Sequence, residues 1–302
     1  MFFKKIPCFY YPTTVIMLDD NMSFLENIRM TIDDFENILL FDSPSRVIEF
    51  VTAANSIPEC ADILDSIDSD EVDFDNVLSV DYEKLASFFK RENQVSVLVV
   101  DYSMPEINGV EFFERVKEIQ SKKIMLTGEA DTTIALEVFN NGLIDKFLTK
   151  DISSINTVLG ECINDFKIKY FLDSKINTFL SSFNAIKDDS NYLSVFNDWI
   201  KLYGVVKFHQ ADEIGSMIGI DSVLKTHTFY LLSENKLQDY IKVAEENYAS
   251  SDLLDQFVAR RKIPIFINDG NKSLSVKDWG KIVGEVAGEF EFNNNRYYYC
   301  FA

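Results

Sequence analysis

Short apolar runs, each closing on an acidic, hydroxyl or basic side chain, alternate through the first half of this chain with stretches whose apolar positions follow helical spacing. That alternation points to βα units and a parallel sheet. It predicts strands at Val15–Leu18, Ile38–Phe41, Val95–Val100, Lys123–Leu126 and Lys146–Leu148. Helices are expected at Asn21–Ile32, Ser45–Ala53, Val110–Ile119, Thr132–Asn141 (ended by Gly142) and from about Ser153.

Such a series gives a flavodoxin-like, doubly wound parallel five-stranded sheet, whose sites lie at the carboxyl ends of the strands. Residues 13–165 are assigned to it. An acidic insertion, 55–92, interrupts the pattern (DILDSIDSDEVDFDN). It reads as a helix with a solvated acidic loop, or as a docking surface. The Asp-x-Asp-x-Asp-Gly spacing of a calcium loop is absent.

Three strand ends carry chemistry. Asp19 and Asp20 close the first strand, Asp101 the third and Thr127 the fourth, and Lys150 follows the fifth. In a parallel sheet these ends share one edge. Three clustered carboxylates repel one another unless a cation lies among them, and an all-oxygen set suits magnesium. A lysine beside them can neutralise a phosphoryl group, and a hydroxyl can bond its oxygen.

In their order, VIMLDDN, VLVVDYSMPEINGVEFF, IMLTGEAD and KFLTKD resemble the receiver domain of bacterial two-component response regulators. The resemblance covers about half the chain. It implies that Asp101 accepts the phosphoryl group as an aspartyl phosphate. Asp19, Asp20 and Asp101, with the carbonyl of Ser103, would hold Mg2+. Thr127 and Lys150 would contact the phosphoryl group, Thr127 and Phe147 would form the switch, and Met104, Pro105 and Gly109 would shape the following loop. It also implies a sensor histidine kinase or phosphotransfer protein as donor and a phosphorylation-dependent homodimer. At Asp151 the sequence departs from the family, which usually has proline there, so Lys150 is expected to be presented differently and its phosphoryl contact weakened.

Residues 166–190 are expected to be a connecting helix and linker, either two packed helices with a break or one continuous signalling helix. Residues 191–302 read as a separate α+β output domain around an antiparallel sheet, with a hairpin across Asn293–Asn295. No chemistry is legible there. His209 and His227 read as strand residues, and the Arg260-Arg261-Lys262 cluster as a helix C-terminus. The net charge of −20 is uneven, about −16 over residues 1–170 and about −4 over the rest. The acidic half argues against nucleic-acid or anionic-membrane binding there. A protein or small-molecule target is therefore expected for the output domain. An enzymatic output, with Asp212, Glu213 and Asp221 converging on a pocket for nucleotide or phosphodiester turnover, and a DNA-binding regulator are the alternatives. Cys8, Cys60, Cys162 and Cys300 lack metal-like spacing, and no apolar stretch reaches the roughly 18 residues of a membrane span. A cytoplasmic protein with reduced thiols is expected.

Overall fold

The computed structural model describes residues 2–32, 37–54, 94–128, 132–174, 185–212, 214–266 and 275–302. The acidic insertion, Cys60, Glu213 and much of the expected linker lie outside them. The chain divides into two compact units, with the breaks after Tyr11 and after Ser174. The first eleven residues belong with the C-terminal unit, which the sequence reading did not anticipate: β1 (Phe9–Tyr10) is an edge strand of that unit's sheet.

The chain then builds the parallel unit: β2 (Thr14–Leu18), α1 (Met22–Arg29), β3 (Ile38–Phe41), α2 (Pro44–Ala54), β4 (Val95–Asp101), α3 (Gly109–Arg115), β5 (Lys122–Thr127), α4 (Thr132–Asn140), β6 (Lys146–Thr149) and α5 (Ile155–Leu172). The five-stranded sheet has the order β3-β2-β4-β5-β6, and every pair is parallel. Neighbouring side chains of a strand point to opposite faces, so the central strands are apolar along most of their length; Ser96, buried in β4, accepts a hydrogen bond from the Thr13 hydroxyl. Val15, Met17, Val97, Val99, Ile124 and Leu126 pack on one side with α1 and α5. Ile16, Leu18, Leu98, Val100 and Met125 pack on the other with α2, α3 and α4.

The boundary expected at 165 moves. Helix α5 runs to Leu172, with Asp173 as its C-cap. Leu159, Cys162, Ile163 and Phe171 are buried along it, so its second half packs in the unit's core instead of starting a linker.

The C-terminal unit continues with a 3-10 turn (Ala185–Asp188), α6 (Ser190–Tyr203), β7 (Val205–Gln210), β8 (Met217–Asp221), β9 (Thr226–Ser233), α7 (Glu234–Glu246), α8 (Ser251–Val258), β10 (Lys262–Pro264), β11 (Val283–Glu285), β12 (Gly288–Phe292) and β13 (Asn295–Phe301). Gly204 ends α6 at φ 61°, where a Cβ would be strained. The six-stranded sheet has the order β1-β7-β8-β9-β13-β12 and is antiparallel throughout. One face carries Tyr192, Phe196 and Trp199 of α6 with Phe229 and Phe208. Phe3 wedges in edge-on, 5.3 Å from Phe208 and 5.7 Å from Phe196. The other face packs Tyr230, Leu232 and Tyr298 against Leu237, Ile241, Phe257, Ile263 and Trp279.

One local reading changes and another holds. The β12–β13 hairpin turns on Asn293 and Asn294, both at positive φ, as a two-residue primed turn requires, and Asn295 already pairs with Phe292. The Arg260 cluster is the helix end that the sequence expects: α8 stops at Val258, the N–H groups of Arg260, at φ 53°, and Arg261 donate back to Phe257 and Gln256, and the Arg260 side chain also reaches Glu234 at the start of α7.

Candidate functional site

Sheet register sets the site. Leu18 pairs with Val100, so Asp19 and Asp101 emerge level with each other. Asp101 pairs with Leu126, and Thr127 with Thr149, the residue before Lys150. The backbone knits the same edge: Asp19 N–H donates to Phe41, Tyr102 N–H to Leu126 and Lys150 N–H to Thr127. Five polar side chains are thereby delivered to one edge, as the strand ends predict.

Asp19 and Asp101 are buried, whereas Asp20 is exposed at the mouth. The three carboxylates each offer an oxygen within 4.8 Å of the others. The Lys150 ammonium lies 2.8 Å from Asp19 Oδ2 and 2.8 Å from Asp101 Oδ1. Its position is also fixed by the ring of Phe24, whose centre is 5.0 Å from Nζ, a cation–π contact. The Lys150–Asp151 peptide is trans, as are all described peptides, and Asp151 is exposed. The departure from proline thus leaves Lys150 in contact with both buried carboxylates.

Burial pushes the Asp101 carboxyl up, with Lys150 opposing and Asp19 adding to the rise. The Lys150 ammonium has its pKa raised: burial opposes the charge, and the two carboxylates outweigh it. Asp19 Oδ1 accepts from Asn21 N–H at 2.9 Å, while its buried Oδ2, which receives no well-aligned hydrogen bond among the described residues, lies 2.8 Å from the Lys150 ammonium. An under-coordinated buried carboxylate oxygen beside two more carboxylates is a donor set for a hard cation. Thr127 is buried, and its hydroxyl donates to Gly128 O at 3.0 Å. Ser103 is exposed and its backbone N–H bonds the Asp101 carboxylate. Phe147 is half-buried, edge-on to Phe139 with ring centres 6.2 Å apart.

The loop after Asp101 folds back on itself. Gly109 N–H donates to Tyr102 O at 2.8 Å. A Cβ on Gly109 would fall 2.6 Å from the Asp101 carbonyl oxygen, a backbone atom that cannot move aside. The glycine of the MPEING phrase therefore permits the close approach that carries Asp101 into the site. Sequence reading missed Phe24 and Asn21; both lie in the turn of helix following Asp20, on the face that meets the edge.

In the C-terminal unit Asp212 and Asp221, which the enzymatic alternative would bring together with Glu213, do not converge; Glu213 lies outside the described residues. Asp212 precedes β8 and Asp221 ends it, so they lie at opposite ends of that strand. Asp212 Oδ1 accepts from the N–H groups of Ile214, Gly215 and Ser216. Asp221 Oδ1 accepts from Val223 and Lys225, and its Oδ2 from His227 Nε2 at 3.0 Å. His227, packed against Tyr203 with the rings tilted by 34°, and His209, bonded to Gln210 O, both sit in strands.

The parallel sheet with this acidic edge defines a response regulator receiver domain, and the family model described as "Response regulator receiver domain" matches residues 66–158. Beyond that domain, the chain is similar along nearly all its length to the Legionella pneumophila response regulator LqsR. The two are 25% identical, the match covers 98% of this chain and 89% of that one, and the TM-score is 0.78. An adenylate cyclase structure from Rhodopirellula baltica (21% identity, 54% and 90% coverage, TM-score 0.36) and a receiver domain from Clostridium thermocellum (18%, 53% and 98%, TM-score 0.37) also match. A search of curated proteins found no match. Among the described residues no helix is long and apolar enough to cross a membrane.

Proposed function

We propose that this chain is a response regulator whose Asp101 accepts a phosphoryl group from a histidine kinase or phosphotransfer protein, and whose C-terminal unit is a binding module switched by that event. The observation that carries this reading is the Lys150 ammonium bridging Asp19 and Asp101 at 2.8 Å each, beside Asp20. Asp19, Asp20 and Asp101, with the Ser103 carbonyl, would hold Mg2+, which when bound supplies charge neutralisation for the incoming phosphoryl oxygens.

An Asp101 carboxylate oxygen attacks phosphorus in line, and the bond to the donor's leaving group breaks. Lys150 then has a phosphoryl oxygen to neutralise in place of a carboxylate. Thr127 exchanges its Gly128 carbonyl for that oxygen by rotating its hydroxyl. The space it leaves can be taken by Phe147, a change that alters its packing against Phe139. Leu136 and Phe139 of α4 are 49% and 42% exposed. Apolar side chains beside a switch residue support a face for phosphorylation-dependent pairing of two receivers.

For the C-terminal unit, a protein or small-molecule ligand is favoured over catalysis by the separation of Asp212 from Asp221 and their use in turns. The reading is tested by intact-mass measurement after incubation with acetyl phosphate and magnesium. A single phosphoryl gain in the wild type, lost on chelation and lost in Asp101→Ala, is expected. A gain in Asp101→Ala equal to wild type would overturn it.

A further inference from the structure

The segment before β1 and the 3-10 turn before α6 lie 179 residues apart in sequence, yet they bring two reactive groups together: Lys187 Nζ is 2.7 Å from Cys8 Sγ. Both are buried, Cys8 at 0% and Lys187 at 4% exposure. Amide N–H···O contacts centre at about 2.9–3.0 Å, and sulfur is the larger atom, so this nitrogen and sulfur are closer than an ordinary hydrogen bond between them. Both partners are held from behind. The Cys8 carbonyl accepts the Gln210 N–H at 2.7 Å. Lys187 sits in a turn closed by the Asp189 N–H to Ile186 O bond, and Asp189 caps α6. The other described cysteines lie in different surroundings: burial pushes the Cys300 thiol up to about 12 and also raises that of Cys162.

We propose that Cys8 and Lys187 form an oxidative cross-link, a sulfur–nitrogen (sulfenamide) bond made when a peroxide reaches the site. The thiolate is the form that reacts with peroxide, and sulfenic acid is the first product. One peroxide oxygen becomes the sulfenic hydroxyl and the other leaves as water, so sulfur is oxidised by two electrons and peroxide reduced by two. Lys187 releases one proton to solvent, and its nitrogen lone pair then attacks Cys8 sulfur. The S–N bond forms, the S–O bond breaks, and the hydroxyl leaves as a second water with a proton from the amine. In sum, thiol, amine and peroxide give sulfenamide and two waters. Reacting atoms this close need little further ordering.

Access comes at the sheet edge. Strand β1 is an edge strand held by two residue pairs, Phe9 with His209 and Tyr10 with Phe208, and so short an edge strand opens at low cost. Once made, the bond would tie the N-terminal strand to the turn that starts α6. It would close a long loop whose two ends lie in the C-terminal unit and whose chain includes the parallel unit, and it would stop β1 from leaving its sheet.

The test uses the full chain. Native protein is treated with hydrogen peroxide, digested with trypsin without reductant, and the peptides are weighed. A linked pair is expected, residues 6–29 joined to 176–201 and uncut after Lys187, lighter by two hydrogens than the separate peptides and released by a thiol reductant. Lys187→Arg keeps a cation beside the sulfur and provides a folded control; it is expected to lose the link, with Cys8 carried on to sulfinic acid. Thermal unfolding of the C-terminal unit should move upward on peroxide treatment in the wild type only. Cys8 recovered as a free thiol or as sulfinic acid in the wild type would overturn the proposal, and so would a linked pair heavier by an oxygen atom.

Discussion

Replacing Lys150 by Met removes, among the described residues, the cation paired with two buried carboxylates, Asp19 at 0% and Asp101 at 5% side-chain exposure. At 2.8 Å and an effective dielectric constant near 20, each contact carries about 6 kcal/mol of Coulomb attraction. Desolvating the three charged groups offsets most of that, and breaking a buried pair by removing one partner costs about 3–5 kcal/mol. Asp101, whose carboxyl is already pushed up by burial, can take a proton and limit the damage. The expected loss in metal-free receiver stability at pH 7 is therefore about 3 kcal/mol, at the low end of that range. Saturating magnesium stabilises wild type and variant alike, so the gap narrows only by the difference in their gains. Loss of the competing ammonium should tighten the ion in the variant, and a tenfold lower Kd narrows the gap by about 1.4 kcal/mol, to about 1.6 kcal/mol. Both tryptophans, Trp199 and Trp279, lie in the C-terminal unit. In a urea titration, tryptophan fluorescence thus follows that unit, and the part of the circular dichroism change not shared with it follows the receiver. A receiver transition within about 0.5 kcal/mol of wild type without metal, or a loss that magnesium leaves unchanged, would refute the assignment of Lys150 as the charge that balances the site.

Asp101→Asn should stabilise the metal-free receiver at pH 7. The folded pKa of Asp101 is raised above its ordinary value of 3.8, first by burial and then by Asp19 against the pull of Lys150. Its favourable contribution is complete below that ordinary value and is lost as pH rises through the folded pKa, so the advantage of Asn should vanish in urea titrations carried down to acid pH. Gly109→Ala places a Cβ 2.6 Å from a backbone oxygen and should cost about 2–3 kcal/mol of receiver stability, read as a lower receiver urea midpoint with the tryptophan transition unchanged. Glu234→Gln should destabilise the C-terminal unit by about 1 kcal/mol at pH 7, read from tryptophan fluorescence. Burial opposes ionisation of Glu234, but hydrogen bonds from Arg260, Tyr298 and Gln238 outweigh it and hold the carboxyl down at about 2, from 4.5. That stability is present above 4.5 and is lost as pH falls through about 2, so wild type and variant should converge in acid.

The receiver was legible because its constraints are local. A strand buried on both faces reads as a near-continuous apolar run, and the polar residues that close three such runs, at Leu18–Asp19, Val100–Asp101 and Leu126–Thr127, mark both the sheet and its reactive edge in the sequence itself. Phe24 was not legible as a support for Lys150, because its role depends on how α1 returns across the sheet edge. The N-terminal strand was missed for the same kind of reason. Cys8-Phe9-Tyr10-Tyr11 is too short to declare a partner, and that partner, β7, lies almost two hundred residues away. In the C-terminal unit the strands, helices and the helix end at Arg260 follow from periodicity and charge, but Asp212 and Asp221 can pass for chemistry in the sequence. The turns they close reveal what their charges meet.

The central claim is that the phosphoryl group goes to Asp101. Borohydride reduces an aspartyl phosphate to homoserine, so protein treated with acetyl phosphate and magnesium, reduced and then sequenced by tandem mass spectrometry, reports the modified residue directly. Homoserine at position 101 alone is the predicted result. Homoserine at position 19 or 20, or no reduced residue in protein that has gained a phosphoryl group, would contradict it.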